Sequence, residues 1–221
     1  MARKIIFVVI AAMLSASSLL AGQTDIPGNV KLAKINPDDV SYQPKQLDVV
    51  RKLLVNEKYK FYDVKGQSAA EIRKEMKLNG TKWNDGKVYA ALTSWDIQYH
   101  YDVIFENGKY RIKSASTDID VVINMPRWKP EQQATRELIE EWERYIRVLD
   151  EHETGHRDLA VKAAGEINEI LAGLGDFSSK AELDREAKKQ AQARLKRMKE
   201  IQVEYDNHTN HGIKQGAALV G

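Results

Sequence analysis

The side chains best suited to chemistry lie at residues 152–156, which read His-Glu-Thr-Gly-His. Apolar residues recur at spacings of three and four on both sides, which predicts a helix. Residues four apart share one face of a helix, so His152 and His156 can bind the same metal ion. Glu153 can take a proton from a water on that metal. The pattern therefore predicts two zinc ligands and a general base.

A catalytic zinc site needs a third protein ligand, because a fourth position is kept for water. The metzincin extension requires Gly and His three and six residues after the second histidine, and Leu159 and Lys162 occupy those positions. Glu182 or Glu186 on the next predicted helix is a weak candidate. Residues 205–212 are stronger, because they hold two of the five histidines.

Two interpretations without catalysis compete with a zinc enzyme. His152 and His156 can be polar residues between two helices, satisfied by hydrogen bonds. Alternatively, His208 and His211 can close a structural zinc site, since such sites have four protein ligands. His100 lies opposite the apolar face of its strand and is expected at the surface.

The composition is that of a globular chain with one sizeable core or two small ones. It has 221 residues, of which 43% are hydrophobic and 30% charged. No cysteine is present, which excludes disulfides and thiolate metal sites. Arg3 and Lys4 account for the net charge of +2. The basic stretch at 188–199 is interleaved with glutamines and reads as a solvated helix face, so no nucleic-acid partner is expected.

Residues 1–22 have the pattern of an export signal. Arg3 and Lys4 precede an apolar run over 5–14, and small residues follow. A membrane anchor is the alternative, but polar sequence begins at Gln23, where a lipoprotein signal would have its cysteine. We expect cleavage and a periplasmic or secreted bacterial protein with no membrane anchor.

The remaining sequence predicts an α+β fold that begins with a small antiparallel sheet. Residues 23–60 contain three prolines and read as an N-terminal arm or spacer, briefly helical at 47–54. The sheet is expected over 61–125, with a hairpin turn at 106–109 and a short helix opened by a capping box at 68–71. Its strands are predicted at 61–64, 88–105, 110–112 and 119–123.

Two long antiparallel helices are predicted within residues 130–205. The first is periodic over 131–172 and carries the metal motif, as a zincin-like active-site helix. Because this is unusually long, we expect a kink or break. The second begins with a capping box at 179–182. Its antiparallel return brings the C-terminal loop, residues 205–221, back towards the motif.

Several segments resemble the DUF922 family, whose members are described as predicted secreted zinc-dependent proteases of bacteria. The similarity covers roughly residues 60–217 and includes 126–128 (Pro-Arg-Trp) and 152–160. The other matching residues are Thr93, Ser94, Trp95, Trp142, Tyr205, Asp206, Thr209, His211 and Gly212. Many members have a cysteine after the hairpin, which this chain lacks. The resemblance implies a zincin-like metallopeptidase domain over 61–221.

The resemblance also bears on the third ligand, because the family pattern matches Asp206 and His211. We take His211 as the first candidate and Asp206 as the next. If His211 binds the metal, Asp206 would orient an imidazole. Tyr205 or His208 could stabilise an oxyanion. His208 also fits an exposed loop residue.

Together these features predict an exported metallopeptidase that hydrolyses peptide or protein substrates. Glu153 would assist the attack of a zinc-bound water on the peptide bond. The competing class is a non-catalytic envelope binding protein with a structural or vestigial zinc site. In the enzyme, an edge strand could pair with an extended substrate.

Overall fold

The computed structural model describes residues 6–8, 49–83 and 85–220. It has the α+β class predicted from the sequence. The predicted signal segment, residues 1–22, lies outside the described residues except for a three-residue strand. The elements are β1 (Ile6–Val8), β2 (Val50–Val64), α1 (Ala69–Asn79), β3 (Thr81–Lys82), β4 (Val88–Tyr89), β5 (Leu92–Glu106), β6 (Lys109–Trp128), α2 (Arg136–Ala172), α3 (Lys180–Thr209) and a final 3-10 turn, Ile213–Gln215.

The main sheet is mixed, with the strand order β1-β5-β6-β2. β5 and β6 form the predicted hairpin, in which Asn107 (φ 52°) and Gly108 (φ 75°) supply the positive φ angles. β2 pairs parallel with β6 along its whole length. The prediction of an antiparallel sheet was therefore wrong at this edge, because a parallel neighbour arrives by a crossover that strand periodicity does not reveal.

Residues 50–60, assigned from sequence to an arm, belong to β2, so the helix predicted at 47–54 was wrong over 50–54; residues 23–48 of the predicted arm lie outside the described residues. The apolar residues there also fit a helical spacing, but pairing with β6 over 15 residues gives a strand. The strands predicted at 110–112 and 119–123 are parts of the single 20-residue strand β6.

The metal motif lies in one unbroken helix. α2 spans 37 residues, so the expected break was wrong. It begins after Thr135, whose hydroxyl accepts a hydrogen bond from Leu138 N and caps the helix. Continuous packing against the sheet and α3 stabilises this length, because tertiary contact rather than propensity maintains most helices.

α3 begins at the predicted cap, Ser179, and runs antiparallel to α2. It continues to Thr209, so Tyr205 and Asp206 are helical and do not belong to a C-terminal loop. Asn210, in the left-handed region (φ 49°, ψ 53°), ends the helix.

The core lies between the sheet and α2 and continues between α2 and α3. Alternate residues of β5, such as Trp95 and Ile97, point into it. On the other side, Leu149, Ile167 and their neighbours on α2 are buried. No helix in the described part of the chain is both long and apolar enough to span a membrane.

Candidate metal centre

The two motif histidines lie on the face of α2 that packs against α3. His152 and His156 are both 0% exposed, and their ring centroids are 4.8 Å apart. Asp206 faces them from α3 and is 1% exposed. Its Oδ1 lies 3.3 Å from His152 Nε2 and 3.0 Å from His156 Nε2. The ligand atoms of these three residues all lie within 4.8 Å of one another, so the group could hold a metal ion.

The chemistry of this group fits a divalent metal such as zinc. Imidazole nitrogens and carboxylate oxygens bind zinc at roughly 2.0–2.2 Å, so tetrahedral ligands lie roughly 3.3 Å apart, close to the separations here. His152 Nε2 and Asp206 Oδ2 are buried and have no hydrogen-bond partner. Buried polar atoms are normally paired, and a metal would satisfy both of these.

Each motif histidine is oriented by a glutamine. His152 Nδ1 lies 2.9 Å from Gln215 Oε1, and His156 Nδ1 contacts Gln202 Oε1. Gln202 Nε2 also donates to the His156 carbonyl at 3.0 Å. An amide oxygen only accepts, so each Nδ1 carries a proton and each Nε2 is directed towards Asp206.

Sequence reasoning missed both glutamines. Gln202 precedes Asp206 by four residues, so a face-by-face reading of α3 would have placed the two side chains together. Gln215 lies in the short 3-10 turn near the C-terminus and has no comparable signal.

Asp206 is charged in its buried position. Burial alone would raise the pKa of its carboxyl group, but the imidazoles of His152, His156 and His211, all within 3.3 Å of Oδ1, outweigh this and lower the pKa well below the usual range. The carboxylate is therefore ionised at neutral pH, as a metal ligand must be.

Glu153 is 0% exposed and lies against β5. Its Oε2 accepts a hydrogen bond from Thr93 Oγ1 at 2.7 Å, while its Oε1 is buried without a partner. Burial raises the pKa of this carboxyl group, although His156 and His152 act in the opposite direction. A carboxyl group with a raised pKa is better matched to proton transfer near neutral pH.

Tyr205 packs against both imidazoles. Its ring stacks on His152 at 5.1 Å and meets His156 edge-on at 4.9 Å. Its hydroxyl donates to the His152 carbonyl at 3.4 Å and accepts from Gln215 Nε2 at 3.3 Å. Burial raises the pKa of Tyr205, so the phenol is a neutral donor beside the group.

His211, the first candidate from sequence, lies just outside the three-residue group. It follows α3 in a left-handed conformation (φ 52°), and its Nδ1 is 3.3 Å from Asp206 Oδ1 without hydrogen-bonding geometry. The structure thus groups Asp206 with the two motif histidines. His211 contacts the Asp206 carboxylate but is not part of this group. His208 is exposed on the last turn of α3.

The other sequence candidates lie elsewhere. Glu182 is in the first turn of α3, and Glu186 bonds to Gln190 and Lys189 on the same helix. At 1.5 Å per residue, Glu186 is roughly 30 Å along the helix from the metal group. His100 is half-buried on β5, and its Nε2 lies 4.0 Å from an Asp118 carboxylate oxygen.

Comparison with known proteins places the chain in a family. The model of DUF922, described as a bacterial protein of unknown function, matches residues 59–212. The chain belongs to the DUF922 family. The resemblance inferred from the motifs is thereby confirmed. No curated protein and no solved structure matches the sequence.

The DUF922 match contains almost the whole site. The metal group, Glu153, Thr93 and Tyr205 all fall within residues 59–212, whereas Gln215 lies beyond it. The family description states no activity, so the site geometry is the basis for any functional proposal.

Proposed function

We propose that this DUF922 protein is an exported zinc metallopeptidase that hydrolyses peptide or protein substrates. The observation that carries the proposal is the position of Glu153 beside the three-residue metal group. Glu153 directly follows His152 in α2, and its Oε1 is buried without a hydrogen-bond partner. Two imidazoles, a carboxylate and a neighbouring acid are the parts that a hydrolytic zinc site requires.

We assign the third ligand to Asp206 rather than His211. Asp206 Oδ1 is within 3.3 Å of both motif Nε2 atoms, whereas His211 approaches only the carboxylate. A zinc ion held by the two histidines and Asp206 would act as a Lewis acid, which lowers the pKa of a water molecule and polarises a carbonyl group.

The chain's own residues supply the proton transfers. Oε1 of Glu153 would accept a proton from the attacking water and later release it to the departing amine. Thr93 holds Oε2 at 2.7 Å and so fixes the orientation of the carboxylate. The neutral hydroxyl of Tyr205 would stabilise the negative charge that develops on the carbonyl oxygen by turning its proton from the His152 carbonyl to that oxygen.

A second candidate function is a metal site without catalysis in an envelope binding protein. It is favoured by the burial of the ligands and of Glu153, which are 0–1% exposed. A peptide would have to displace neighbouring residues to reach Glu153, whereas enzyme sites are ordinarily concave and accessible. A metal there would still stabilise the packing of α2 against α3.

The first experiment is to measure metal content in protein purified without chelators. The proposal expects about one zinc per chain and loss of zinc in the double variant His152→Ala/His156→Ala. Zinc-free protein that also fails to take up added zinc would exclude both candidate functions.

The second experiment separates the two functions. Glu153→Gln keeps the shape of the side chain but cannot accept the proton, so zinc should be retained and peptide hydrolysis lost. Glu151→Gln is the matched control, since Glu151 is exposed on the same helix. The catalytic proposal is contradicted if the zinc-loaded protein hydrolyses no member of a broad peptide library. It is also contradicted if Glu153→Gln leaves hydrolysis unchanged. In either case the non-catalytic function remains.

A further inference from the structure

β2 combines an edge position in the sheet with several exposed apolar side chains. Within the described residues it is the last strand of the main sheet and pairs only with β6. Natural edge strands are normally protected by charge, bulges or covering elements, because an open edge pairs with other strands. β2 carries six charged residues, yet six large apolar side chains of the same strand are 36–69% exposed: Val50, Leu53, Leu54, Val55, Tyr59 and Phe61.

Four of these side chains continue the core face of the sheet. Leu53, Val55, Tyr59 and Phe61 alternate along β2, so they share a face. Their partners in β6 are Thr117, Ile119, Ile123 and Met125, all of which are buried. α2 packs over this face of the sheet at β6, but at β2 it covers the face only in part. The two apolar pairs flank Glu57 on this face, and exposed apolar side chains grouped in this way favour an interaction surface over scattered surface residues.

We propose that β2 pairs antiparallel with β2 of a second copy of this chain, about a two-fold axis at Glu57. Glu57 is the midpoint of β2 (Val50–Val64), so the pairing uses the whole strand. In this register Leu53 lies opposite Phe61 of the second copy, and Val55 lies opposite Tyr59. Aliphatic–aromatic pairs across strands are among the stabilising ones.

One pair of opposite charges also meets in this register. Arg51 lies opposite Asp63 of the second copy, while each keeps an exposed partner in its own chain, Glu169 for Arg51 and Arg127 for Asp63. The one like-charge pair within β2 is Glu57 opposite itself, and each Glu57 already has Arg157 Nη1 at 2.8 Å from its Oε2. Two arginines therefore accompany the two central carboxylates.

Neighbouring registers are less favourable. An axis at Asn56 places Lys52 opposite Lys60, and an axis at Lys58 places Lys58 opposite itself. Both shifts also place an apolar residue opposite an acidic one: Val55 opposite Glu57, or Leu53 opposite Asp63. Like charges directly opposite destabilise a strand pair. The register centred on Glu57 is preferred because Arg157 accompanies its like-charge pair.

Single cysteines test both the pairing and its register, because the chain has no cysteine of its own. Glu57→Cys places two thiols directly opposite each other, within the Cα separation that a disulfide needs. Mild oxidation of this variant should give a disulfide-linked dimer on a non-reducing gel. Val55→Cys alone should not cross-link, since the two thiols are offset by four residues, roughly 13 Å. A mixture of Val55→Cys and Tyr59→Cys proteins should cross-link.

A mass measurement gives an independent test. The unmodified full-length chain should be a dimer by light scattering, and Phe61→Lys should shift it to monomer. Phe105→Lys is the matched control, because Phe105 is 62% exposed at the hairpin end, and this variant should stay dimeric. Glu153→Gln should also stay dimeric, so this test is independent of the proposed catalysis.

Three results would overturn the proposal. One is a monomeric unmodified chain, as expected if another segment or another protein covers β2. Another is equal cross-linking of Val55→Cys alone and Glu57→Cys. The last is a Phe105→Lys variant that dissociates as readily as Phe61→Lys.

Discussion

Asp206 Oδ1 lies 3.0 Å from His156 Nε2, although 50 residues separate the two along the chain. The contact arises because α3 returns antiparallel along α2. Gln202, one turn before Asp206, contacts the other nitrogen of the same imidazole. One face of α3 therefore determines both the orientation of His156 and the charge that faces it.

The assignment of Asp206 as third ligand predicts a large effect on zinc affinity. Asp206→Asn keeps the shape of the side chain but removes the anionic oxygen, so zinc binding should weaken by more than about 100-fold. Substitution of a residue that only hydrogen-bonds to a metal ligand typically weakens metal binding by up to about 100-fold. His211→Ala should weaken it by about tenfold or less. Competition with a chromogenic chelator measures both. The reverse order of the two effects would restore His211 as the ligand.

Gln202 is predicted to act on zinc affinity through His156. Gln202→Met preserves the volume of the side chain but leaves His156 Nδ1 and the His156 carbonyl without this partner, so we expect about 10- to 100-fold weaker zinc binding. Gln190→Met is the control, since Gln190 lies on the same helix and bonds to Glu186. If Gln202→Met lowers stability and leaves zinc affinity unchanged, Gln202 serves packing alone.

Local sequence signals predicted several features well. The caps at Ser68 and Ser179 and the hairpin turn at 106–109 depend on side chains within three residues of the structure they produce. The shared face of His152 and His156 follows from helical spacing alone. Two of the three residues of the metal group could therefore be predicted from the five-residue motif.

The position of the third residue, Asp206, depended on tertiary contacts. Residues 205–209 contain Asp, Asn and His, which favour helix weakly, so the sequence indicated a loop. In the fold, Asp206 faces two imidazoles and Thr209 Oγ1 donates to the Tyr205 carbonyl at 2.8 Å, and the helix continues. Likewise, no local pattern shows that β2 lies parallel to β6.

Removal of zinc is predicted to destabilise the folded protein. If zinc binds the assembled group and not the unfolded chain, as proposed, a concentration of 100 times Kd adds about 2.7 kcal/mol to the free energy of unfolding. Chelation should lower Tm, and added zinc should restore it. Asp206→Asn is the control, and its Tm should barely respond at the same zinc concentration. A Tm of the unmodified protein that is independent of zinc would contradict a resident metal.

The glycine inside the metal motif is predicted to be required for the position of Tyr205. A Cβ atom at residue 155 would lie 2.7 Å from Tyr205 Cζ, well inside van der Waals contact. Gly155→Ala should therefore lower the free energy of unfolding, although alanine favours a helix by about 1 kcal/mol over glycine. Gly165→Ala in the same helix is the control, since its Cβ would meet only Leu53 Cδ2 at 3.9 Å. That variant should gain about 0.4–1 kcal/mol in chemical denaturation. Equal gains from both substitutions would mean that Tyr205 can move aside freely, and the stacking on His152 would then not be needed to hold the site.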